Sequence, residues 1–325
     1  MVRTRVAAHP RGMSNHDASS PSSTTVTTSA SSAPAADAVG LDPGAIFAAA
    51  VARVAPSVVR VPRRRGGGSG LAWSDDLVVT SSFHAADDVT LGVPGADGAV
   101  VERPATLVGR DPGTDLALFR VDGGGLVPAP RRGLDGLAAG HLAFAVARPG
   151  RAVRASLRAI GVVGPEVRTP AGGRLDRYVE SDRALPRGFA GGPLVDLRGE
   201  LIGLSTRTLI AGADLAVPAV TIARVVDVLL AHGHVPRGYL GVGVVPAAAP
   251  GGGRGALVAS VDGDGPAAAA GLGVGDLIVA IAGEPVRGPD ELRLVLADRA
   301  GASVELAVIR AGAPVSVTVT VGTRP

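Results

Sequence analysis

The sequence predicts a mainly β protein: a barrel or sandwich of short strands, followed by a smaller second unit. Three observations predict it. Short runs rich in Val, Leu and Ala recur along the chain, each bounded by turn residues, and the 325 residues include 47 Gly and 25 Pro. Such spacing argues for a barrel or sandwich and against βαβ units. Helical periodicity is rare, and aromatic residues make up only 2% of the chain, so the cores must be aliphatic. A second set of strand and helix patterns begins near Arg237 and runs for about 90 residues, enough for one small domain.

Residues 14–39 are dominated by Ser, Thr, Ala and Pro without periodicity. Such a segment buries too little apolar surface to offset its ordering entropy, so residues 1–41 are expected to form a disordered tail. A helix follows, with Asp42 as N-cap and Pro43 at its first position. Ile46, Phe47, Ala50, Val51 and Val54 form its apolar face, and Pro56 ends it. Strands are then read in "SVVRV", "SGLAW", "DLVVTSS", "VTLGVP", "ATLVGRD", "LALFRVD", "LAFAVARP", "VRASLRAIGVV", "RYVES", "GPLVDL" and "ELIGLST". "DLRGEL" is a hairpin signal with Gly199 at the turn. "VPAVTIARVVDVLLAHGH" closes the region as a helix that buries Ile222, Val225, Val226, Leu229 and Leu230 and stops at Gly233. The expected divisions are a tail at 1–41, a first folded domain at 42–235 and a second at 236–325. In the second, strands are read in "YLGVGVV", "GALVASVD", "DLIVAIAG", "VELAVIR" and "VSVTVTV", with short helices near Ala267–Ala270 and Asp290–Ala297.

Composition excludes several functions. There is no cysteine, hence no disulfide framework, thiolate metal site or cysteine nucleophile. The formal charge is +3, yet the isoelectric point is about 10.3. The chain contains no lysine, so arginine sets that value and the surface need not be strongly basic. The run Arg63, Arg64, Arg65 is read as a solvated loop rather than a nucleic-acid patch. "APGGGRG" is read as a flexible loop, because a phosphate cradle would need a P-loop lysine. His9, His16, His141, His232 and His234 offer no ligand set, and no metal or cofactor is expected. No stretch reaches the roughly 18 apolar residues of a membrane-spanning helix, and no apolar signal core follows Arg3 and Arg5, whether the start is Met1 or Met13. A cytoplasmic location is the expectation.

The chemistry-bearing blocks stand in a definite order: "GSGLAW" with "DLVVTSS", then "LVGRDPGTDLALFRV", "VESDRALPRGFAGGPLVDLRGELIGL", "DLAVPAVTIARVVDVLLAHGHVPRGYLGV" and "GPAAAAGLGVGDLIVAIAG". Together they resemble the HtrA (Deg) family, a trypsin-like serine protease domain followed by a PDZ domain. The resemblance covers roughly Ile46 to the C-terminus. It implies a chymotrypsin-like double β-barrel and then a small β-barrel with two helices. It also implies peptide or protein C-terminus binding, a role in protein quality control, and a homo-oligomer, often a trimer.

A triad needs a hydroxyl nucleophile, an imidazole base and a carboxylate that orients it. Asp115 in "TDLAL" matches the family's aspartate. The family's Thr-x-x-His register falls on Phe83, with His84 one residue late. One residue is about 100° of helical rotation, which would turn His84 away from Asp115 and leave it as a surface histidine. A one-residue bulge would restore it. The nucleophile position holds Ala190, preceded by Phe189. Loss of a triad nucleophile costs on the order of a millionfold in turnover, roughly 8 kcal/mol of barrier. Ser82, Ser181 and Ser205 lie in neighbouring segments, none on the turn that faces an oxyanion. Gly188, Ala190 and Gly191 retain the turn whose amides make an oxyanion hole. The expected outcome is an inactive protease homologue, with a working endopeptidase of rearranged site as the alternative.

In the second unit "GYLGV" resembles the loop that receives a peptide carboxylate on backbone amides. By that resemblance Tyr239, Leu240, Gly241 and Val242 hold the carboxylate. Val242 and Val244 flank the groove, and Leu292 with Leu296 forms its opposite wall.

Overall fold

The computed structural model describes residues 42–62, 67–82 and 88–324. The tail at 1–41, the run Arg63–Arg65, and Phe83 with His84 lie outside the described residues.

Helix α1, Pro43–Val54, starts where Asp42 accepts a hydrogen bond from the Gly44 amide at 2.8 Å. Ala50 and Val54 are its buried residues; Phe47 and Val51 pack partly against the core, and Ile46 is exposed. The apolar face is therefore narrower than its sequence pattern. The first barrel follows: β1 Val58–Pro62, β2 Gly67–Ala72, β3 Leu77–Ser81, β4 Asp88–Pro94, β5 Val100–Asp111 and β6 Leu116–Val121. It closes in the order β1-β2-β3-β6-β5-β4. Val59, Val61, Val78, Leu91 and Phe119 fill it.

The second barrel comprises β7 Leu142–Ala147, β8 Arg154–Gly164, β11 Tyr178–Ser181, β12 Pro193–Asp196, β13 Leu201–Thr206 and β14 Leu215–Pro218, closed as β11-β14-β13-β12-β7-β8. Between β8 and β11 a small hairpin projects, β9 Val167–Arg168 with β10 Arg174–Leu175. Sequence periodicity gave no sign of it, because two-residue strands have no period to display. The "DLRGEL" hairpin forms between β12 and β13, where Asp196 Oδ1 accepts from the amides of Arg198 and Glu200 at 2.9 Å each.

A third apolar cluster joins the barrels. It includes Val58, Leu71 and Leu118 from one and Phe144, Val195 and Leu204 from the other. Trp73, stacked under the Arg131 guanidinium at 3.6 Å, belongs to it. Phe47 of α1 meets the Phe144 ring edge-on at 5.3 Å. Helix α2, Ala219–His232, buries Ile222, Val225, Val226 and Leu229 there and ends at Gly233 in the left-handed conformation. Leu230, expected on the buried face, is exposed.

The C-terminal sheet runs β16 Val242–Ala248, β17 Arg254–Val261, β18 Leu277–Ile281, β20 Ser303–Arg310 and β21 Ala313–Thr320, in the order β16-β17-β18-β20-β21. The short β19, Glu284–Pro285, pairs with β18, and β15 Arg237–Tyr239 pairs with β22 Gly322–Arg324. Helices α3, Pro266–Ala269, and α4, Pro289–Leu296, complete the domain around its own aliphatic core. "APGGGRG" is the turn joining β16 to β17, closed by the Ala249 amide on the Gly253 carbonyl at 3.2 Å.

Asp276 ties this domain together. It accepts from Arg310 Nε and Nη2 at 2.8 and 2.7 Å and from the Gly273 amide at 2.8 Å. Arg310 first, then the Gly273 amide, hold its carboxyl below the ordinary range against the opposing effect of burial. A depressed folded-state pKa stabilises above the unfolded value and is lost as pH falls through the folded one. Destabilisation is therefore expected from about pH 4 downward. Asp276→Asn should flatten this acid limb, measured as the difference in Tm between pH 6 and pH 3 for the two chains.

Candidate functional site

Asp115 stands in the left-handed region (φ 55°), at the end of a turn built by Asp111. Asp111 accepts from the Gly113 amide at 3.0 Å and the Thr114 hydroxyl at 2.7 Å, the local bonding that favours Asp at such turns. Asp115 is 2% exposed. Its carboxylate accepts from a set of hydroxyls. Ser81 Oγ lies 2.9 Å from both oxygens, and Ser82 Oγ lies 3.1 Å from Oδ1. Thr206 and Thr208 Oγ1 lie 2.5 and 2.8 Å from Oδ2. Sequence reading missed this cage. Its members come from β3 and from the end of β13, and only the barrel junction brings them together. Ser82, read as an ordinary strand hydroxyl, is one of its donors.

The turn carrying Ala190 lies across the same junction. Ser69 on β2 donates to the Gly188 carbonyl at 2.7 Å, and the Gly191 amide donates to the Ser205 carbonyl at 2.9 Å. Thr80 in turn donates to the Ser69 carbonyl at 2.7 Å. Gly191 takes φ 84°, and a Cβ there would come within 2.3 Å of the Ser69 carbonyl oxygen. Glycine is thus required by the close approach of the first barrel as well as by its backbone angle.

Ala190 is 7% exposed and Phe189 4%. Both belong to the apolar core of the second barrel, with Leu185, Leu194 and Ile202. Burying a ring such as Phe189 contributes roughly 1.5–3 kcal/mol. The turn is therefore anchored by the packing of Phe189. Behind it Arg158, 1% exposed, donates to the carbonyls of Arg183 and Ala184 at 2.6 and 3.2 Å. Burial pulls its guanidinium pKa down, opposed by the charges of Asp182 and Asp214. Nothing in the local sequence marked Arg158, which sits in a strand otherwise read by its aliphatic residues.

The two remaining serines serve the backbone. Ser205 binds the turn through its carbonyl and its amide, which donates to Gly192 at 2.9 Å. Ser181 makes a long hydroxyl contact to the Asp214 carbonyl at 3.4 Å. Among the described residues, no group of three or more His, Cys, Asp or Glu collects to hold a metal ion. His232 lies in the last turn of α2, as its position beside Gly233 suggested, and the following His234 bridges to Arg110 of β5.

The second candidate site is a groove of about 390 Å³ between β16 and α4. Tyr239, Leu240, Gly241, Val242, Val244, Leu292 and Leu296 all line it. Leu240, Leu292 and Leu296 are also core residues, so they form the floor, while Val242 and Val244 are half-buried at its strand edge. The turn of the β9–β10 hairpin, at Ala171 and Gly172, reaches one end. There Arg237 donates to the Gly172 carbonyl and, at 2.6 Å, to Asp111. Arg168 on the hairpin pairs with Asp298 just after α4. Arg168 is the main cause holding the Asp298 carboxyl below its usual range.

Comparison with known proteins matches two families along the chain. The trypsin-like peptidase domain family matches residues 68–204, and the PDZ domain family matches residues 238–321. A serine-to-alanine variant of the HtrA-type protease AlgW, solved with a tripeptide, is 31% identical, with a TM-score of 0.63 over 86% of this chain and 97% of that one. The chain belongs to the HtrA family. AlgW with a decapeptide matches this HtrA chain with a TM-score of 0.65 at 28% identity, covering 86% and 99% of the two chains. The "Probable periplasmic serine endoprotease DegP-like" of Brucella suis biovar 1 is 35% identical over 79% of this chain and 53% of its own length. The protein of that name from Ectopseudomonas mendocina is 34% identical, over 83% and 60%. The chain thus spans somewhat more than half the length of these curated relatives.

These names correct one expectation. A cytoplasmic location rested on the lack of an apolar leader in the sequence, and a missing pattern does not place a protein. The relatives are named periplasmic and point to the periplasm instead.

Gly191→Ala should destabilise the protease domain by roughly 2–5 kcal/mol, combining backbone strain with overpacking. Gly212 has φ 83° but no atom within 4 Å of an added Cβ. Gly212→Ala should therefore cost only about 1–2 kcal/mol. Urea midpoints of the two variants measure the difference.

Proposed function

We propose that this HtrA-family chain has lost peptidase activity and works by holding peptides or unfolded proteins, through its PDZ groove and the cleft between its barrels. One observation carries the proposal: position 190 offers a buried methyl group, packed with Phe189 in an aliphatic core, where acyl transfer needs a hydroxyl. The placement of Phe83 in the histidine register supports it. The vestigial positions are Phe83, His84, Asp115 and Ala190, with Gly188 and Ala190 as the remaining oxyanion loop. The solved relatives are consistent with binding that does not need the hydroxyl, since a serine-to-alanine AlgW variant was solved with a decapeptide. Peptide C-termini are the proposed PDZ ligands, protein quality control the proposed setting, and a homotrimer the proposed assembly.

A second reading is an active serine endopeptidase with a rearranged site. The relatives' names favour it, because the curated matches are called endoproteases. Fold likeness alone is a weak warrant for activity, and no other side chain on the turn replaces the missing oxygen.

Unfolded casein separates the two readings. The purified chain should give no cleavage above background, and Ala190→Ser should stay inactive while Phe83 occupies the histidine register. Cleavage by the wild-type chain, with a fluorophosphonate label mapped to one residue, overturns the proposal and establishes the second reading.

A further inference from the structure

Among the described residues, the peptide groove is lined by two cations, Arg237 and Arg293, and by no acidic side chain. Its polarity follows from its neighbours. The end of α4 meets the carboxylate loop, where the Gly238 amide donates to the Ala297 carbonyl at 3.3 Å. The start of α4 lies along the far part of β16, since a Cβ on Gly288 would sit 4.0 Å from the Pro246 Cβ. A peptide with its carboxylate at Tyr239–Gly241 and its backbone on the β16 edge therefore runs antiparallel to β16, from beside Pro246 to its C-terminus beside Val242.

Side chains alternate along such a strand, so the last and third-from-last residues face the same way. Val242 and Val244 line the groove while Gly243 between them is exposed, which matches that period. Arg293 lies about 4.5 Å along α4 from Leu296. Alternate peptide residues are about 6.6 Å apart. An arginine side chain spans the remaining gap easily.

The two cations differ in freedom. Arg237 is half-buried and held by Asp111 and the Gly172 carbonyl. Arg293 has 62% of its side chain exposed, and its partner Asp290, three residues back on the same helix, has 71%. A pair this exposed is weak and exchanges readily for a carboxylate in the groove.

We infer that the groove selects C-termini that carry Asp or Glu two residues before an apolar last residue, and that Arg293 reads this acid. The inference rests on the peptide-binding proposal and names its ligand class.

Fluorescence anisotropy on the full chain tests it, using labelled decapeptides that end in Glu-Ala-Val or Gln-Ala-Val, each as free acid and as amide. The Glu free acid should bind about three- to tenfold tighter than the Gln free acid at low salt, with the gap narrowing as salt screens the pair. Arg293→Gln should abolish the preference without weakening the Gln peptide, and Arg293→Lys should keep part of it. Equal affinity of the Glu and Gln free acids, both above their amides, overturns this inference and leaves the peptide-binding proposal standing. A preference that survives Arg293→Gln overturns the role of Arg293. Amides that bind as well as free acids overturn the peptide-binding proposal itself.

Discussion

The close contact between the Gly188–Pro193 turn and the first barrel is the constraint on which the site depends. Gly191 lies against the Ser69 backbone with no room for a side chain, and the Ser205 backbone holds it from the other side. Ser69 adds a hydroxyl bond to Gly188 and accepts from the Arg148 amide at 2.9 Å. One turn thus stitches β2 to the strands around it. This work is done by backbone groups and by the absence of a Cβ. None of it calls on the side chain at position 190, so the turn keeps its shape with alanine there.

That separation distinguishes the frame of the turn from the side chain at position 190. The glycines and Pro193 answer to packing between barrels, whereas a nucleophile answers only to chemistry. Phe189, beside Ala190, buries its ring in the second barrel core. Asp115 shows the same logic in reverse. Four hydroxyls from two barrels converge on its carboxylate, and a buried carboxylate with several donors is a structural element in its own right.

Sequence made the fold legible wherever a local rule applied. Asp42, the β12–β13 hairpin and most of the apolar stripe of α2 each follow from capping, turn chemistry or period. The assignment of two barrels and a PDZ unit came from ordered motifs, which carry more information than any single strand. What sequence hid was tertiary: the hydroxyls gathered on Asp115, the buried Arg158, and the β9–β10 hairpin, whose strands are too short to show alternation. Leu230 and Ile46 looked like core residues because helical period alone does not say how wide a contact is. The peptide-groove residues were named as one set, yet Leu240, Leu292 and Leu296 also serve as core. Apolar floor and apolar core are the same chemistry until the surrounding chain is placed.

The groove also shows why the two domains are read together. Arg237 lines it, yet spends its hydrogen bonds on the protease domain, at Asp111 and at the Gly172 carbonyl. Asp111 is the residue that shapes the turn ending at Asp115. A single buried carboxylate therefore touches the PDZ rim through Arg237 and connects to Asp115 through the turn that the two aspartates bound. Its consequence is mechanical: it fixes one end of the groove against the barrel through Arg237, while Arg293 is the exposed cation of the lining.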